Sequence, residues 1–141
     1  ISYRRSDGYG IARWLDQVFS INDYRTFLDS NNLAGKDFAK SLENAIIGAP
    51  VFVMVLTPDY FARCNQESDF VRREIELALA NDKIIIPINV DGALNNIPDY
   101  LDEEFRNRIG AYSWTTLFTG PTFDACFNDF LGKRIKPFLS K

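Results

Sequence analysis

Val51-Phe52-Val53-Met54-Val55-Leu56 is an unbroken apolar run, closed soon afterwards by Pro58. A strand with one face in water alternates apolar and polar residues. A run without alternation therefore predicts a central strand covered on both faces, as in a parallel sheet. The pattern on either side decides what covers it.

Downstream, Asp69-Phe70-Val71-Arg72-Arg73-Glu74-Ile75-Glu76-Leu77-Ala78-Leu79 reads as an amphipathic helix. At ~100° per residue, with Val71 at zero, Leu77, Phe70, Ala78, Val71, Ile75 and Leu79 fill one arc from about 240° round to about 80°. Arg72, Glu76 and Arg73 take the opposite arc. Ile84-Ile85-Ile86-Pro87-Ile88 is a second buried strand, with its Pro expected near the end. A short helix is expected around residues 100–108, a last short strand at Ala111-Tyr112-Ser113-Trp114, and a closing helix marked by Phe123, Phe127, Phe130, Leu131, Ile135 and Phe138. Upstream, Ile1-Ser2-Tyr3 ends a strand and residues 4–10 form a polar loop with two Gly. Ile11, Trp14, Leu15, Val18 and Phe19 follow the i, i+3, i+4, i+7, i+8 spacing of a helix face. Arg25-Thr26-Phe27-Leu28 is a short strand, residues 29–36 are a turn-rich loop, and Phe38, Leu42, Ala45 and Ile46 mark a helix ending near Gly48.

Strands alternating with helices give an α/β fold: flavodoxin-like and doubly wound, with a five-stranded, mainly parallel sheet and helices on both faces. Its 141 residues make one domain, spanning 1–141, whose opening half-strand points to a piece cut from a longer protein. In such sheets ligands bind beyond the carboxyl ends of the strands. The loops at that edge are residues 4–10, 29–36 and 57–68.

Composition is that of an ordinary globular chain, 46% hydrophobic and 25% charged, and 12 Phe supply a core. A net charge of -3, with no Lys/Arg cluster on one element, argues against a nucleic-acid partner. No apolar run approaches the ~20 residues that span a bilayer, so no membrane is implied. Cys64 and Cys126 lack metal-ligand spacing, which points to free thiols in a reducing compartment, the cytoplasm. The chain has no His, which removes Ser-His and Cys-His nucleophile pairs and most zinc sites; no metal is expected. Chemistry is left to carboxylates, Arg, aromatics and backbone.

Glu74 is the leading candidate. It falls at about 300° on the wheel, inside the apolar arc and one turn after Phe70. A carboxylate on an apolar face is costly unless partnered, and marks either a functional site or a structural ion pair. Arg4 and Arg5 directly follow the first strand, at the ligand-binding edge. They suit a pyrophosphate, a solvated loop, or a partnership with Glu74. Phe70 is a shelf for a flat ring or a core residue. Loop 29–36 is long for an α/β connection, with Leu33 either exposed at its middle or folded back. Gly8-Tyr9-Gly10-Ile11-Ala12-Arg13 superficially resembles a dinucleotide fingerprint, but Arg13 replaces the third Gly. No phosphate-loop motif is present.

Together these residues resemble a TIR domain of the NAD-cleaving subfamily. Ile1-Ser2-Tyr3-Arg4-Arg5 is similar to the family's first-strand box. Phe27-Leu28-Asp29 with Leu33-Ala34-Gly35 and Phe38 is similar to the second box and BB loop. Val51–Leu56 with Thr57-Pro58 is similar to the third strand, and Asp69-Phe70-Val71-Arg72-Arg73-Glu74-Ile75 to the stretch bearing the catalytic glutamate. Ile85-Ile86-Pro87-Ile88 is similar to the strand after it. The likeness is especially close to bacterial TIR effectors and to the axon-degeneration NAD hydrolase of animals. It implies that Glu74 is catalytic, that Tyr3, Arg4, Arg5, Asp29, Phe38 and Phe70 contact substrate, and that Leu33, Gly35 and Lys36 of the BB loop serve self-association. Phe70 stands where the family commonly has Trp. The implied reaction splits the nicotinamide–ribose bond of NAD+, giving ADP-ribose or a cyclic isomer. NAD+ is the substrate and no cofactor is implied. Implied partners are other copies of the same domain and a fused or associated sensor, in bacterial anti-phage defence. The other class of function is a non-catalytic TIR–TIR interaction scaffold, whose members often lack the glutamate. A dinucleotide-binding redox domain is disfavoured by length and by the broken Gly motif.

Overall fold

In a computed structural model, which describes residues 1–28 and 35–139, with side chains for 1–28 and 40–137, the run Val51–Leu56 is strand β1. It is followed by helix α3 (Phe70–Ala80), strand β2 (Ile84–Val90), helix α4 (Glu103–Gly110), strand β3 (Thr115–Leu117) and helix α5 (Phe123–Phe130). The last helix continues through a wide π-type turn, Leu131–Ile135, into a final turn, Lys136–Leu139. Two helices precede β1: α1 (Arg5–Ile21) and α2 (Gly35–Gly48).

β1, β2 and β3 form a parallel sheet in that order. Alternate residues of β1 divide between two cores, as a period of two requires. Phe52, Met54 and Leu56 pack with Leu42 and Ile46 of α2, with α3, and with Phe105 and Ile109 of α4. Val53 and Val55 pack with Ala12, Leu15 and Phe19 of α1 and with Phe123, Phe127 and Phe130 of α5. The α/β class, the parallel pairing and the helices on both faces agree with the sequence reading.

The strand count differs. Among the described residues the sheet has three strands, not five. The first segment joins it by a single parallel bridge, Ser2 to Met54: the Ser2 N–H donates to the Val53 carbonyl at 2.7 Å, and the Val55 N–H to the Ser2 carbonyl at 2.8 Å. Residues 25–28 are not a strand; the Ile1 amino group donates to the Phe27 carbonyl at 3.0 Å.

The expected loop at 4–10 is also different: α1 begins at Arg5, directly after its N-cap Arg4. Asp7 secures that first turn. Its carboxylate accepts from the Thr57 hydroxyl at 2.6 Å and from the Asp59 N–H at 2.8 Å. Gly8 is helical and buried because the backbone passes close to its neighbours; a Cβ there would stand 3.4 Å from that of Tyr3.

Pro87 lies mid-strand, not near the end, because β2 runs on to Val90. Parallel strands turn the peptide groups of successive residues to opposite sides. Val53 and Val55 bond towards Ser2, and the Ile84 N–H bonds to the Pro50 carbonyl on the β1 side, so Pro87 faces β3. The β3 ladder starts only at Thr115, opposite Ile88. The missing N–H of Pro87 therefore removes no bond. It also explains why the last strand is Thr115–Leu117 and not residues 111–114, where Trp114 would have stood opposite Pro87.

Candidate active site

α3 is set by its first turn. Asp69 is the N-cap, accepting from the Arg72 N–H at 3.0 Å, a contact worth about 1 kcal/mol. The same carboxylate grips Arg4 with both oxygens, at 2.6 Å to Nη1 and 3.0 Å to Nη2. Arg4 further donates from Nε and Nη2 to the Tyr60 carbonyl, at 3.2 and 2.9 Å. Arg72 fixes the helix on its other flank. It reaches the Cys64 carbonyl and Asp102 at 2.8 Å each, and its guanidinium lies 4.0 Å from the Phe105 ring centroid.

With the helix so held, Val71, Glu74, Ile75 and Ala78 turn inward. Glu74 is buried, 7% exposed. Its Oε1 accepts from the Ser2 hydroxyl at 3.0 Å, and Ser2 Oγ lies 2.8 Å from the Tyr60 hydroxyl. Tyr60 is fully buried; that burial, and next the nearby Glu74 charge, push its phenol well above the usual tyrosine range. Neither Ser2 nor Tyr60 stands out in the sequence. Their partners lie 72 and 58 positions away, which no local pattern records. The one available signal is Tyr60 itself, a large polar aromatic just after Thr57-Pro58.

Glu74 also forms part of the wall of a cavity of about 100 Å³ between α2 and the start of β1, lined among others by Phe27, Leu42, Ile46, Val51 and Phe52. Small-molecule pockets run to roughly 300–1,000 Å³, so this space suits water or a sugar-sized group. Tyr3, Arg4, Arg5 and Phe70 do not line it.

The other candidates divide. Phe70 is 48% exposed, with the Arg73 guanidinium 5.6 Å from its ring centroid, so it is not a core residue. Tyr3 is buried, its ring tilted against that of Tyr9 at 5.9 Å. Arg5 is exposed on the first turn of α1. Arg4 pairs with Asp69, and its three nitrogens all bond to protein groups. Asp29 and Leu33 lie outside the described residues. Gly35, Lys36 and Phe38 lie on the first turns of α2, their side chains outside the description. Cys64 is buried and its thiol is pushed up to about 12, first by burial and then by Asp69, which leaves little thiolate for nucleophilic work.

A family model described as TIR domain matches residues 1–131. The chain belongs to the TIR domain family. This TIR domain is 42% identical over 91 residues to the NAD(+) hydrolase sarm1 of Drosophila melanogaster, a stretch covering 62% of this chain and 7% of that protein. It is 36% identical over 91 residues to the NAD(+) hydrolase tir-1 of Caenorhabditis elegans, covering 62% and 9%. Against the NAD(+) hydrolase SARM1 of Danio rerio the identity is 30% over 91 residues, covering 62% and 13%. The match thus spans a small part of each relative. Among the described residues of this TIR domain, no helix is long and apolar enough to cross a membrane.

Proposed function

We propose that this TIR domain cleaves the nicotinamide–ribose bond of NAD+, with Glu74 as the catalytic carboxylate. The observation that carries the proposal is Glu74 itself, turned into an apolar helix face and bonded there by the Ser2 hydroxyl of the first segment. Relatives named as NAD(+) hydrolases support it. The chemistry suits a chain without His. Nicotinamide leaves as a neutral ring from a cationic one, so no general acid is needed. A carboxylate stabilises the oxocarbenium-like sugar, or holds its hydroxyls, while water or an internal nucleophile adds. The product is ADP-ribose or a cyclic isomer.

In this reading Phe70 supports the nicotinamide ring one turn above Glu74, and Tyr3 and Arg5 contact the rest of the dinucleotide. Asp29 and Phe38 belong to the same proposal. So does activation by self-association through Leu33, Gly35 and Lys36. The small size of the cavity beside Glu74 supports a site completed by a second copy. The sequence resemblance supports the remaining parts: a flavodoxin-like fold, a sensor partner, a cytoplasmic setting and a role in anti-phage defence.

Nicotinamide release, measured across protein concentration, tests the reading. Specific activity should rise with concentration. Glu74→Gln should lose roughly 100-fold or more, the scale of removing one electrostatic stabiliser. Glu76→Gln should match the parent, because Glu76 is 39% exposed on its side chain and bonded to Arg108 on the surface. Absence of release from the parent at every concentration would favour the interaction-scaffold reading.

A further inference from the structure

Ser2, Tyr60 and Glu74 come from three separate elements and meet as a chain of oxygens with links of 2.8 and 3.0 Å. Ser2 is 1% exposed and Tyr60 is 0%. We propose that Tyr60 and Ser2 are positioning residues, a two-hydroxyl relay that orients the Glu74 carboxylate and holds it ionised. This rests on the reading of Glu74 as the catalytic carboxylate.

Counting protons gives the relay its direction. An ionised carboxylate only accepts, so the single Ser2 proton goes to Glu74. The Tyr60 proton then goes to Ser2. Both links are filled, and both hydroxyls have given their one proton. A hydrogen bond donated to a carboxylate stabilises its charged form, and a proton placed on Oε1 would compete with the Ser2 proton for that link. The arrangement therefore favours the charged form of Glu74. Tyr60 suits the first position because burial and the neighbouring carboxylate keep its own proton on, so it remains a donor at any physiological pH. Among the described residues, the titratable and charged groups that face Glu74 include Tyr60 from the loop after β1, the Ile1 amino group, which senses both Glu74 and Asp16, and Arg25 across the cavity. Ile1 and Arg25 stay constant in the variants below.

The test uses Ser2→Ala, Ser2→Thr and Tyr60→Phe in the full chain. Two quantities are read: the acid limb of the pH profile of nicotinamide release, and the titration of the Glu74 side-chain carboxyl by carbon-13 NMR. In Ser2→Ala both should move up by about one pH unit, because a hydrogen bond to the charged form is lost. Tyr60→Phe should move both in the same direction by less, since Ser2 still donates. Ser2→Thr should restore the parent values. A residue with a purely structural role would lower the melting temperature without moving either titration. An unmoved Glu74 titration in Ser2→Ala, or no restoration in Ser2→Thr, overturns the relay. Should Tyr60→Phe fail to fold, the Ser2 pair decides. The NMR titration needs no turnover, so a parent that releases no nicotinamide would sink the functional reading while the relay is still judged.

Discussion

Arg4 and Asp69, separated by 65 positions, meet in a two-pronged ion pair whose side chains are 11% and 5% exposed. Arg4 caps α1 just after the Ser2 bridge and Asp69 caps α3, so the pair sets the helix bearing Glu74 against the segment bearing Ser2.

Replacing Asp69 by Asn keeps a good N-cap and removes the charge, so it isolates the pair. The loss should be about 1.5–3 kcal/mol at neutral pH, the range for hydrogen bonds to charged groups. Burial raises the Asp69 carboxyl, but the Arg4 hydrogen bond, the Arg72 N–H and the Arg4 charge outweigh it and hold the group below its ordinary 3.8. A carboxylate lowered on folding stabilises above its unfolded value, and that contribution fades as pH falls through the folded one. The gap in melting temperature between parent and Asp69→Asn should therefore be widest above 3.8 and close below it. A gap that is constant through acid would contradict the assignment.

Arg4 and Arg5 should part company in kinetics. Arg4→Ala should behave like a stability variant, with a lowered melting temperature. Arg5→Ala, exposed on α1, should shift the melt by no more than a surface substitution allows and raise KM for NAD+ with little change in kcat. Nicotinamide mononucleotide, which lacks the pyrophosphate, should be insensitive to Arg5→Ala. Equal sensitivity for the two substrates would remove Arg5 from the pyrophosphate.

Phe70→Ala should weaken cleavage by roughly ten-fold, since stacking on a cationic ring approaches the ~1.4 kcal/mol of one decade. With Phe70 48% exposed, the melt should shift by no more than a surface substitution allows, about 0.5 kcal/mol. Phe70→Trp should retain or improve activity. Parental rates in Phe70→Ala would move the ring elsewhere.

Gly10 sits in the interior of α1, and a Cβ added there would meet no neighbouring atom within 4 Å. Gly10→Ala should stabilise by about 0.4–1 kcal/mol, readable as a higher denaturant midpoint at unchanged slope. A lower midpoint would mean that this helix face is occupied by something besides solvent.

The sheet centre was legible because burial on both faces leaves β1 and the stretch Ile84–Ile88 of β2 without polar residues, and that absence shows in the chain itself; Asn89, the one polar residue of β2, is satisfied by the Leu94 backbone. The helical wheel correctly put Glu74 inside and Glu76 outside. It failed for Phe70, which opens α3 and so escapes the cover that the next turns receive. The loop read at 4–10 misled because two Gly usually mark turns, whereas Gly8 is there for close packing against Tyr3. The partners of Glu74 were out of reach of any pattern, since a hydroxyl beside the first bridge and another in a loop become neighbours only through the fold.

Pro87 has a consequence at the rim of the sheet. By denying β3 a partner before Thr115, it keeps that outermost strand to three residues. A border this short offers a neighbouring chain almost no backbone to zip onto, which guards against strand-to-strand fusion and fibre growth. Any contact made on that side is left to side chains on helices and loops, contacts that can be released again.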